Sequence, residues 1–537
     1  MHILMDKLYR ELVKAHKIFI YGAGGYANMI YPLLKKAGLH DRISSFVVSD
    51  LYSIDNIDGI EIKPVHKIDW QIEDSIVLVA VSEDYENEII QTLHEYQTGR
   101  ILKLTDYVVS EDKLKSCSDE QFLDWIIEGH VWRAINSLEQ YSMQKNQILE
   151  KLEERNDRII DKKTIIYITE FLKPRTIKII RALTKKNFNV IVLLRTYFLE
   201  NLVMGDLLAL NVKVIPCDDS MAIYAKAIQY KPLVYFYEPE WGNCIWTEIM
   251  IKHKNIFGKI VFSSYDVLND GYVQITENKK LSERFCLENA DGVVWRWFSK
   301  EFLEKEKKFV YKGKSIQFLD YCNKYDYKKR ESQDAVLKLC CVGGNLIEVI
   351  NEERCRNEGE YIEYARFDTI MRAIGKRQDC IFHLYTGMHT KNIHEEKLCE
   401  LEKEYPNFKI FYGIKHSELI GRIEEYDYGC LWYTEGKDVP ELSSVDGYIW
   451  GSTLANATTN KYFDYLEAGI PVIAIRPKKL CDYLNELGVL VKMRITDLNI
   501  DYLKENKKKY KENVEKARAQ ILIDNQINRL IDFFEEL

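Results

Sequence analysis

The stretch Asn460–Ala474, NKYFDYLEAGIPVIA, reads as an amphipathic helix that stops at a glycine and leads directly into a buried strand. Gly469 suits a helix C-terminus, where a positive φ angle is often needed, and Pro471 prevents the helix from continuing. The apolar run Val472–Ala474 is typical of a parallel strand that is covered on both faces. The polar groups and free N–H groups at the start of such a helix point into a crevice between domains, which suits a diphosphate and a sugar.

The composition of the chain excludes several classes of protein. Its 537 residues are too many for a single core, so several domains are expected. A net charge of −8 argues against general nucleic-acid binding, which usually needs a basic face. No apolar run approaches the roughly 18–20 residues of a membrane span. The N-terminus lacks the layout of a signal peptide. We therefore expect a cytoplasmic protein that binds no nucleic acid, with peripheral membrane contact left open.

Short apolar strands alternate with amphipathic helices in three blocks along the chain. This alternation predicts an α/β protein made of three Rossmann-like units with largely parallel sheets. The predicted segments are an α/β unit at 1–108, a helical connector at 109–160, a second unit at 161–330, a third unit at 331–520 and a last helix at 521–537.

The first unit contains a glycine-rich turn between a strand and a helix. Gly22, Gly24 and Gly25 follow the strand Lys17–Tyr21. Glycines in this place let the backbone approach a pyrophosphate, which the N-terminus of the helix stabilises. Asp50, after the second strand, can accept a hydrogen bond from a ribose hydroxyl. The pattern predicts a nucleotide-binding site, and the alternative is a tight turn whose glycines serve only packing.

This first unit resembles the small Rossmann-like N-terminal domain of sugar acetyltransferases that act in surface-glycan synthesis. In those enzymes the domain binds a nucleotide-sugar. The resemblance implies the same class of ligand at the turn Gly22–Gly25 and leaves open whether the unit is catalytic or regulatory.

The second and third units, residues 161–520, resemble a GT-B glycosyltransferase of the retaining family 4 or family 1-like type. The stretches that carry the resemblance are Ile168–Arg175, Ser264–Val267 with Glu283–Val294, Lys338–Asn345 and Asn460–Ala474. In that family two Rossmann-like domains face each other across a cleft. The acceptor binds mostly to the first domain and the nucleotide-sugar mostly to the second. Such enzymes are metal-independent. The resemblance therefore implies no cofactor, and the nucleotide-sugar is the donor substrate.

Two residues of the second unit are the catalytic candidates. Arg175 stands at the start of a helix and is the candidate for an anion contact, with an ordinary surface arginine as the alternative. Asp266 stands where family members often have a Tyr-Asp or His-Asp pair. The resemblance implies that Asp266 orients the acceptor, and the alternative is a helix cap or turn residue.

The third unit carries the candidate donor-binding residues, some in a glycine turn and some in the opening stretch. They are Gly343, Gly344, Asn460, Lys461, Asp464 and Gly469. Many family members have two glutamates eight positions apart, of which the second binds the ribose hydroxyls. Asp464 takes the place of that second acid, whereas Asn456 takes the place of the first. Glu467, one turn after Asp464, is expected to face solvent.

No metal site is predicted from the sequence. The 12 cysteines are scattered and form no C-x-x-C pair, so we expect buried free thiols in a reducing compartment. Asp218 and Asp219 suggest the metal-binding acid pair of GT-A transferases, but their spacing is wrong. Helix capping is the better interpretation of this pair.

The resemblance implies a hexosyltransferase-type glycosyltransferase that moves a sugar from a nucleotide-diphosphate donor to a hydroxyl of a growing surface glycan, with retention of configuration. The acceptor would be a glycan or a lipid-linked glycan. One alternative is a nucleotide-sugar epimerase of GT-B fold, which would turn over without an acceptor. Another is a non-catalytic nucleotide-sugar-binding subunit, which the missing acid at Asn456 keeps open.

Overall fold

The computed structural model describes residues 2–50, 55–70, 74–157, 160–195, 204–240, 243–270, 276–325, 336–343, 374–387, 396, 399–431, 455–494 and 497–537. Its strands are β1 (His2–Ile3), β2 (Lys17–Tyr21), β3 (Ile43–Val48), β4 (Asn56–Ile57), β5 (Ile60–Pro64), β6 (Ser75–Val79), β7 (Arg100–Lys103), β8 (Val108–Val109), β9 (Asp161–Thr169), β10 (Asn189–Arg195), β11 (Lys213–Cys217), β12 (Pro232–Glu238), β13 (Ile260–Ser264), β14 (Gly292–Trp295), β15 (Lys314–Gln317), β16 (Leu337–Val342), β17 (Cys380–Thr386), β18 (Phe408–Tyr412), β19 (Tyr428–Cys430), β20 (Val472–Ile473) and β21 (Leu490–Val491).

The helices of the described residues alternate with these strands. They are α1 (Met5–Leu12), α2 (Gly25–Lys36), α3 (Glu83–Glu95), α4 (Glu111–Ser116), α5 (Asp119–Ala134), α6 (Glu139–Asp157), α7 (Pro174–Lys185), α8 (Met204–Leu208), α9 (Ser220–Ala227), α10 (Cys244–Lys252), α11 (Lys254–Phe257), α12 (Glu277–Asn289), α13 (Lys300–Glu306), α14 (His416–Ile423), α15 (Asn460–Glu467), α16 (Lys478–Glu486), α17 (Ile500–Ile521) and α18 (Ile523–Glu535). In this part of the chain, no helix is long and apolar enough to cross a membrane.

The chain divides into two compact units. Unit 1 consists of Met1–Ile160, Cys217–Lys231 and Lys252–Gly258, and unit 2 consists of Asp161–Pro216, Pro232–Ile251 and Lys259–Leu537. Unit 1 therefore takes two short inserts from a part of the sequence that otherwise belongs to unit 2.

Unit 1 contains a sheet with the strand order β4-β5-β3-β2-β6-β7. All its pairings are parallel except that of the edge strand β4 with β5. Tyr21 at the end of β2 is in register with Val47 and Val79, so the carboxyl ends of three neighbouring strands lie at one edge. The glycine-rich turn leaves the sheet at this edge.

The helical part of unit 1 is organised around α5. Ser118 and Gln121 form a capping box that starts this helix. Phe122 stacks on His253 with ring centroids 4.1 Å apart and also contacts Tyr224, so both inserts pack against α5. Asp219, in the first insert, caps α9 by accepting a hydrogen bond from the backbone N–H of Ala222. The capping interpretation is confirmed for Asp219.

Unit 2 contains two further sheets. The first has the order β11-β10-β9-β12-β13-β14-β15, and the second has the order β18-β17-β16-β19-β20-β21. The pairings of β10 through β15 in the first sheet and all pairings in the second are parallel. In each sheet the strand that comes first in the sequence lies in the interior. The strand order runs outward from it first to one side and then to the other, as in a Rossmann-like sheet. The predicted α/β class with three such sheets is confirmed.

The helix end in the opening stretch is formed as the sequence predicts. Gly469 has φ +79° and its N–H bonds the carbonyl of Leu466, while the N–H of Ile470 bonds the carbonyl of Tyr465. This pair of bonds is a Schellman motif, which ends a helix in the left-handed region that glycine tolerates. β20 follows at once and is buried.

The C-terminal helix α18 belongs to the core of the first sheet of unit 2. It packs on α7 and β12, with the rings of Phe534 and Phe236 5.5 Å apart. The helix begins at Ile523, close to the predicted start, directly after α17. The chain thus returns to the first sheet after completing the second.

Candidate active site

Charged side chains follow the strands of the first sheet of unit 2. They are Lys173 and Arg175 after β9, Glu238 at the end of β12, Asp266 after β13, Arg296 after β14 and Asp320 after β15. Because the strands are parallel and in register, these residues share one edge of the sheet. The crevice outside the carboxyl ends of the strands is where such sheets bind their ligands.

Arg175 is buried in the first turn of α7. Its guanidinium lies 3.4 Å from a carboxylate oxygen of Asp320 and donates to the carbonyl of Phe318 at 3.0 Å. A surface arginine is therefore not what the structure shows. The side chain joins the end of β15 to the start of α7, and its role as an anion contact stays a prediction.

Asp266 forms an ion pair with Arg296, with 3.4 Å between the guanidinium and the carboxylate. Arg296 also holds Asp320 through two contacts of 3.0 and 2.8 Å. The ring of Tyr265 lies between two cations, 3.6 Å from the ammonium of Lys173 and 4.1 Å from the guanidinium of Arg296. Such contacts stabilise desolvated cations. The side chain of Asp266 remains 17% exposed, so it can still reach a ligand.

Lys173 and Glu238 form the other half of this charged edge. Their charged groups lie 3.8 Å apart, and Glu238 also accepts hydrogen bonds from Tyr167 and Thr176. Burial lowers the pKa of Lys173, and the charge of Glu238 opposes that effect. Beside them is a cavity of about 10 Å³, whose lining includes Lys173, Glu240, Cys244, Ser263, Tyr265 and Asp266. This volume holds about one water molecule or one hydroxyl group.

The segment that leads into α15 meets this edge of the first sheet. The backbone carbonyl of Asn456 accepts a hydrogen bond of 2.8 Å from the N–H of Phe298, two residues after Arg296. The side-chain amide of Asn456 donates to Asp270, in the 3₁₀ turn Leu268–Asp270 that follows β13, at 3.1 Å. The carboxyl ends of the two sheets of unit 2 thus face each other at one crevice.

The donor-binding candidates at the start of α15 lie at this crevice. Thr459 caps the helix by accepting from the N–H of Lys461, and the side chains of Asn460 and Lys461 are half-buried. The hydroxyl of Thr458 is buried and has no hydrogen-bond partner among the described residues. A buried hydroxyl without a partner is costly. An anion at this helix N-terminus would supply the missing partner.

Gly343 ends β16 at the same edge and donates its N–H to the carbonyl of Tyr385. It is buried, whereas Gly344 lies outside the described residues. Gly469 stands at the opposite end of α15 from Asn460, where it closes the helix.

Asp464 is buried in a cluster of charged residues. Its Oδ1 lies 3.4 Å from the ammonium of Lys178 and 3.1 Å from Nε2 of His416. Burial acts to raise the pKa of Asp464, but the charges of His416 and Lys178 outweigh it and the pKa is lowered. Lys178 also pairs with Glu467 at 2.7 Å. The expectation that Glu467 faces solvent is wrong, because Glu467 is buried and neutralises this lysine.

A cavity of about 220 Å³ adjoins the charged cluster. Its lining includes Lys178 and Arg181 of α7, Tyr325, His416 and Ile420 of α14, and Glu467 of α15. The cavity therefore lies between the helices of the first and the second sheet.

In unit 1, the glycine-rich turn separates into a packed and an open part. Gly22 has φ +118°, and a Cβ atom there would lie 2.7 Å from the carbonyl oxygen of Ala80. A Cβ atom at Gly24 or Gly25 would meet nothing within 4 Å. Asp50 is exposed at the same edge of the sheet. Gly22 thus serves the turn itself, whereas the other two glycines leave an open approach to the N-terminus of α2.

Sequence reasoning missed several members of the charged clusters. They are Lys173, Lys178, Glu238, Arg296, Asp320 and His416. A usable signal was present for Arg296 and Asp320, because each charge directly follows an apolar strand or turn. Lys178 carried no such signal, since it stands in the middle of an amphipathic helix.

No protein-family model matches the chain. No curated protein is similar to it at the level of sequence.

Solved structures of glycosyltransferases share its broad architecture. HepE from Anabaena, in complex with UDP and glucose, is 11% identical with a TM-score of 0.45, and the match covers 70% of this chain and 100% of that one. A glycosyltransferase from Rickettsia africae is 12% identical with a TM-score of 0.49, over 70% of this chain and 98% of that one. The lipopolysaccharide outer core galactosyltransferase WaaB is 10% identical with a TM-score of 0.39, over 70% and 100%. Identities and TM-scores this low transfer no activity, so the function has to be argued from the site.

Proposed function

We propose that this chain is a GT-B glycosyltransferase of hexosyltransferase type that uses a nucleotide-diphosphate sugar as its donor. The observation that carries the proposal is the pair of hydrogen bonds at Asn456, whose carbonyl accepts from the N–H of Phe298 and whose side-chain amide donates to Asp270. These bonds bring the carboxyl ends of two Rossmann-like sheets together at one crevice. Each sheet can then supply one substrate site to a shared reaction centre.

The donor is proposed to lie on the second sheet. Its diphosphate would bind at the N-terminus of α15, near Thr458, Asn460 and Lys461, and against Gly343. The dipole of the helix and its free N–H groups favour an anion there. This placement explains why the buried hydroxyl of Thr458 has no partner among the described residues.

The nucleoside is proposed to lie beside Asp464. Both hydrogen bonds to this carboxylate in the described part of the chain end on Oδ1, which leaves Oδ2 for a ribose hydroxyl. The adjoining cavity of about 220 Å³ would take the base.

The acceptor is proposed to lie on the first sheet, with Asp266 orienting its hydroxyl and Arg175 as the anion contact. The acceptor oxygen bonds to the anomeric carbon as the bond to the diphosphate breaks. With retention, as in the family that the chain resembles, the leaving phosphate accepts the hydroxyl proton. The charge on the phosphate is stabilised by Lys461 and the start of α15. No metal or further cofactor is needed in this scheme. We expect the acceptor to be a growing surface glycan, or its lipid-linked form, met in the cytoplasm or at the membrane surface.

The test is a panel of nucleotide-sugars with wild-type protein and two matched variants. Donor binding and release of nucleoside diphosphate are measured for wild type, Asp464→Asn and Asp482→Asn. Asp482 lies in a surface ion pair with Lys492 and serves as the control. Loss of a charged hydrogen bond to ribose should weaken donor binding about tenfold or more in Asp464→Asn only.

Other outcomes of this test identify the alternatives. Conversion of the nucleotide-sugar into its epimer without an acceptor would identify an epimerase. Donor binding without any release would identify a nucleotide-sugar-binding subunit. If no nucleotide-sugar binds at all, the proposal fails.

We also propose that unit 1 binds a nucleotide-sugar at Gly22, Gly24, Gly25 and Asp50. The open approach at Gly24 and Gly25 supports this site. Titration calorimetry of the full chain should then show two nucleotide-sugar sites. Asp50→Asn should weaken one of them and Asp464→Asn the other. If calorimetry shows a single nucleotide-sugar site that Asp50→Asn does not change, the glycines of this turn serve only packing.

A further inference from the structure

The charged edge of the first sheet of unit 2 contains one carboxylate, that of Glu240, whose neighbouring cations form ion pairs with other carboxylates. Glu240 follows β12 by two residues and lines the cavity of about 10 Å³ with Lys173 and Asp266. The two cations whose charges act on Glu240 are Lys173 and Arg195. Lys173 forms its ion pair with Glu238 at 3.8 Å, and Arg195 forms its ion pair with Glu170 at 3.5 Å.

The other carboxylates of this edge already have partners within the protein. Asp320 binds Arg296 and Arg175, and Asp266 binds Arg296. Glu170 accepts from Asn243 at 2.5 Å and from Tyr237 at 3.2 Å. Glu240, by contrast, is half-buried with its side chain turned to the cavity. A half-buried carboxylate without such partners gains from a hydroxyl donor on a ligand.

The space beside Glu240 matches such a donor. A cavity of about 10 Å³ has room for about one hydroxyl group. Burial raises the pKa of Glu240, with Lys173 and Arg195 opposing the rise. A raised carboxylate pKa reports incomplete solvation of the charge, and a hydroxyl hydrogen bond relieves it.

We propose that Glu240 is the residue that accepts the hydrogen bond of the acceptor hydroxyl and that selects acceptors without a negative charge near that hydroxyl. This inference rests on the proposed glycosyltransferase function and names the acceptor class of its site. Asp266, which lines the same cavity, shares in orienting that hydroxyl, and it also forms the ion pair with Arg296, whose guanidinium lies over the ring of Tyr265. A uronic acid or a phosphosugar would bring a second anion next to Glu240, which like-charge repulsion disfavours. Neutral and amino sugars carry no such penalty.

The experiment compares wild type with Glu240→Gln, which keeps the shape and removes the charge. Glu277→Gln, at an exposed position of α12, is the matched control. Thermal unfolding of both variants confirms that they fold. Acceptor binding is measured by ligand-observed NMR with methyl glycosides of glucose, glucosamine and glucuronic acid. Transfer and acceptor-independent donor hydrolysis are measured in parallel.

Glu240→Gln should raise the acceptor KM and lower kcat/KM for the glucoside at least tenfold, and it should reduce the preference for glucoside over glucuronide. Donor hydrolysis without acceptor should fall as well, because water then takes the place of the acceptor hydroxyl beside Glu240, whereas donor binding on the second sheet should stay within twofold of wild type. Unchanged transfer and unchanged acceptor preference in Glu240→Gln would overturn the assignment while leaving the transferase proposal intact. If no donor is turned over but glycoside binding still depends on Glu240, the assignment stands and the transferase proposal falls. If the glycosides bind wild type and Glu240→Gln alike, or bind neither, the assignment falls.

Discussion

At the scale of single residues, Lys178 is paired with two carboxylates that the sequence of its own helix does not predict. It is buried against Asp464 and Glu467, which lie on a helix of the other sheet of unit 2. Burial lowers the pKa of Lys178, but the two carboxylates outweigh this effect and the pKa is raised. The lysine is therefore charged at all ordinary pH values, and the three charges form one buried cluster.

Replacement of Lys178 should destabilise unit 2 strongly. Lys178→Met leaves two buried carboxylates without their cation, a change that costs about 3–5 kcal/mol. Lys185→Met is the matched control, because Lys185 lies on the same face of α7 and pairs with Asp524 at an exposed position. A surface pair of this kind contributes about 0–1 kcal/mol. Urea unfolding of both variants measures the difference, and equal losses would contradict the buried cluster.

Glu128 should make the stability of unit 1 depend on pH. Burial raises the pKa of Glu128 from its usual 4.5 to about 7, while a hydrogen bond from the N–H of Asp6 works against the rise. The folded state keeps the proton of Glu128 to higher pH than the unfolded state. The stabilising contribution of protonated Glu128 to the folded state is therefore fully present below about pH 4.5 and is lost as the pH rises to about 7. Glu128→Gln should therefore raise the Tm more at pH 8 than at pH 5. A difference from wild type that is constant over this range would rule the effect out.

At the scale of elements, apolar runs predicted the strands well because parallel strands are buried on both faces. β2 has the bounds Lys17–Tyr21 that were expected from the sequence. β20 ends at Ile473, one residue before the end of the apolar run Val472–Ala474. The last helix begins at Ile523 and not at residue 521, because α17 continues to Ile521. Local patterns thus locate elements, and their ends depend on capping and on neighbouring strands.

The candidate site was less predictable than the elements that carry it. Strand-end residues such as Asp266 could be identified because parallel sheets collect their carboxyl ends at one edge. The hydrogen bond between Lys178 and Asp464 joins residues 286 positions apart and leaves no periodic trace in either helix. Glu467 was assigned to solvent for the same reason, because its partner is absent from the local sequence.

The end of α15 allows a prediction about one glycine. Gly469→Ala places a Cβ atom on a residue with φ +79°, a conformation that costs an L-residue about 1–2 kcal/mol. Gly205→Ala, in the exposed helix α8 where a Cβ atom meets nothing within 4 Å, should be neutral or slightly stabilising. Urea unfolding of the two variants gives the comparison. Equal effects would mean that the left-handed turn at Gly469 is not needed.

At the scale of the whole molecule, each compact unit is built from distant parts of the chain. Unit 1 takes in Cys217–Lys231 and Lys252–Gly258, and the last helix of unit 2 packs on its first sheet. The sequence predicted a last helix at 521–537, and an amphipathic helix on the surface of a domain buries one face. The pattern does not say which partner covers that face, because many apolar surfaces accept the same stripe.

The return of α18 to the first sheet makes Phe534 a residue on which the fold of unit 2 depends. Phe534 is 1% exposed and its ring contacts Phe236 of β12. Phe534→Ala should lower the free energy of unfolding by about 3–5 kcal/mol, since it removes buried area and leaves a cavity. Leu208→Ala is the control, because Leu208 is an apolar side chain that is 63% exposed, and it should change stability by less than about 0.5 kcal/mol. Hydrogen exchange of β12 should rise in Phe534→Ala only. Unchanged protection of this strand would mean that α18 is dispensable for the first sheet, and deletion of 523–537 would then leave the sheet folded.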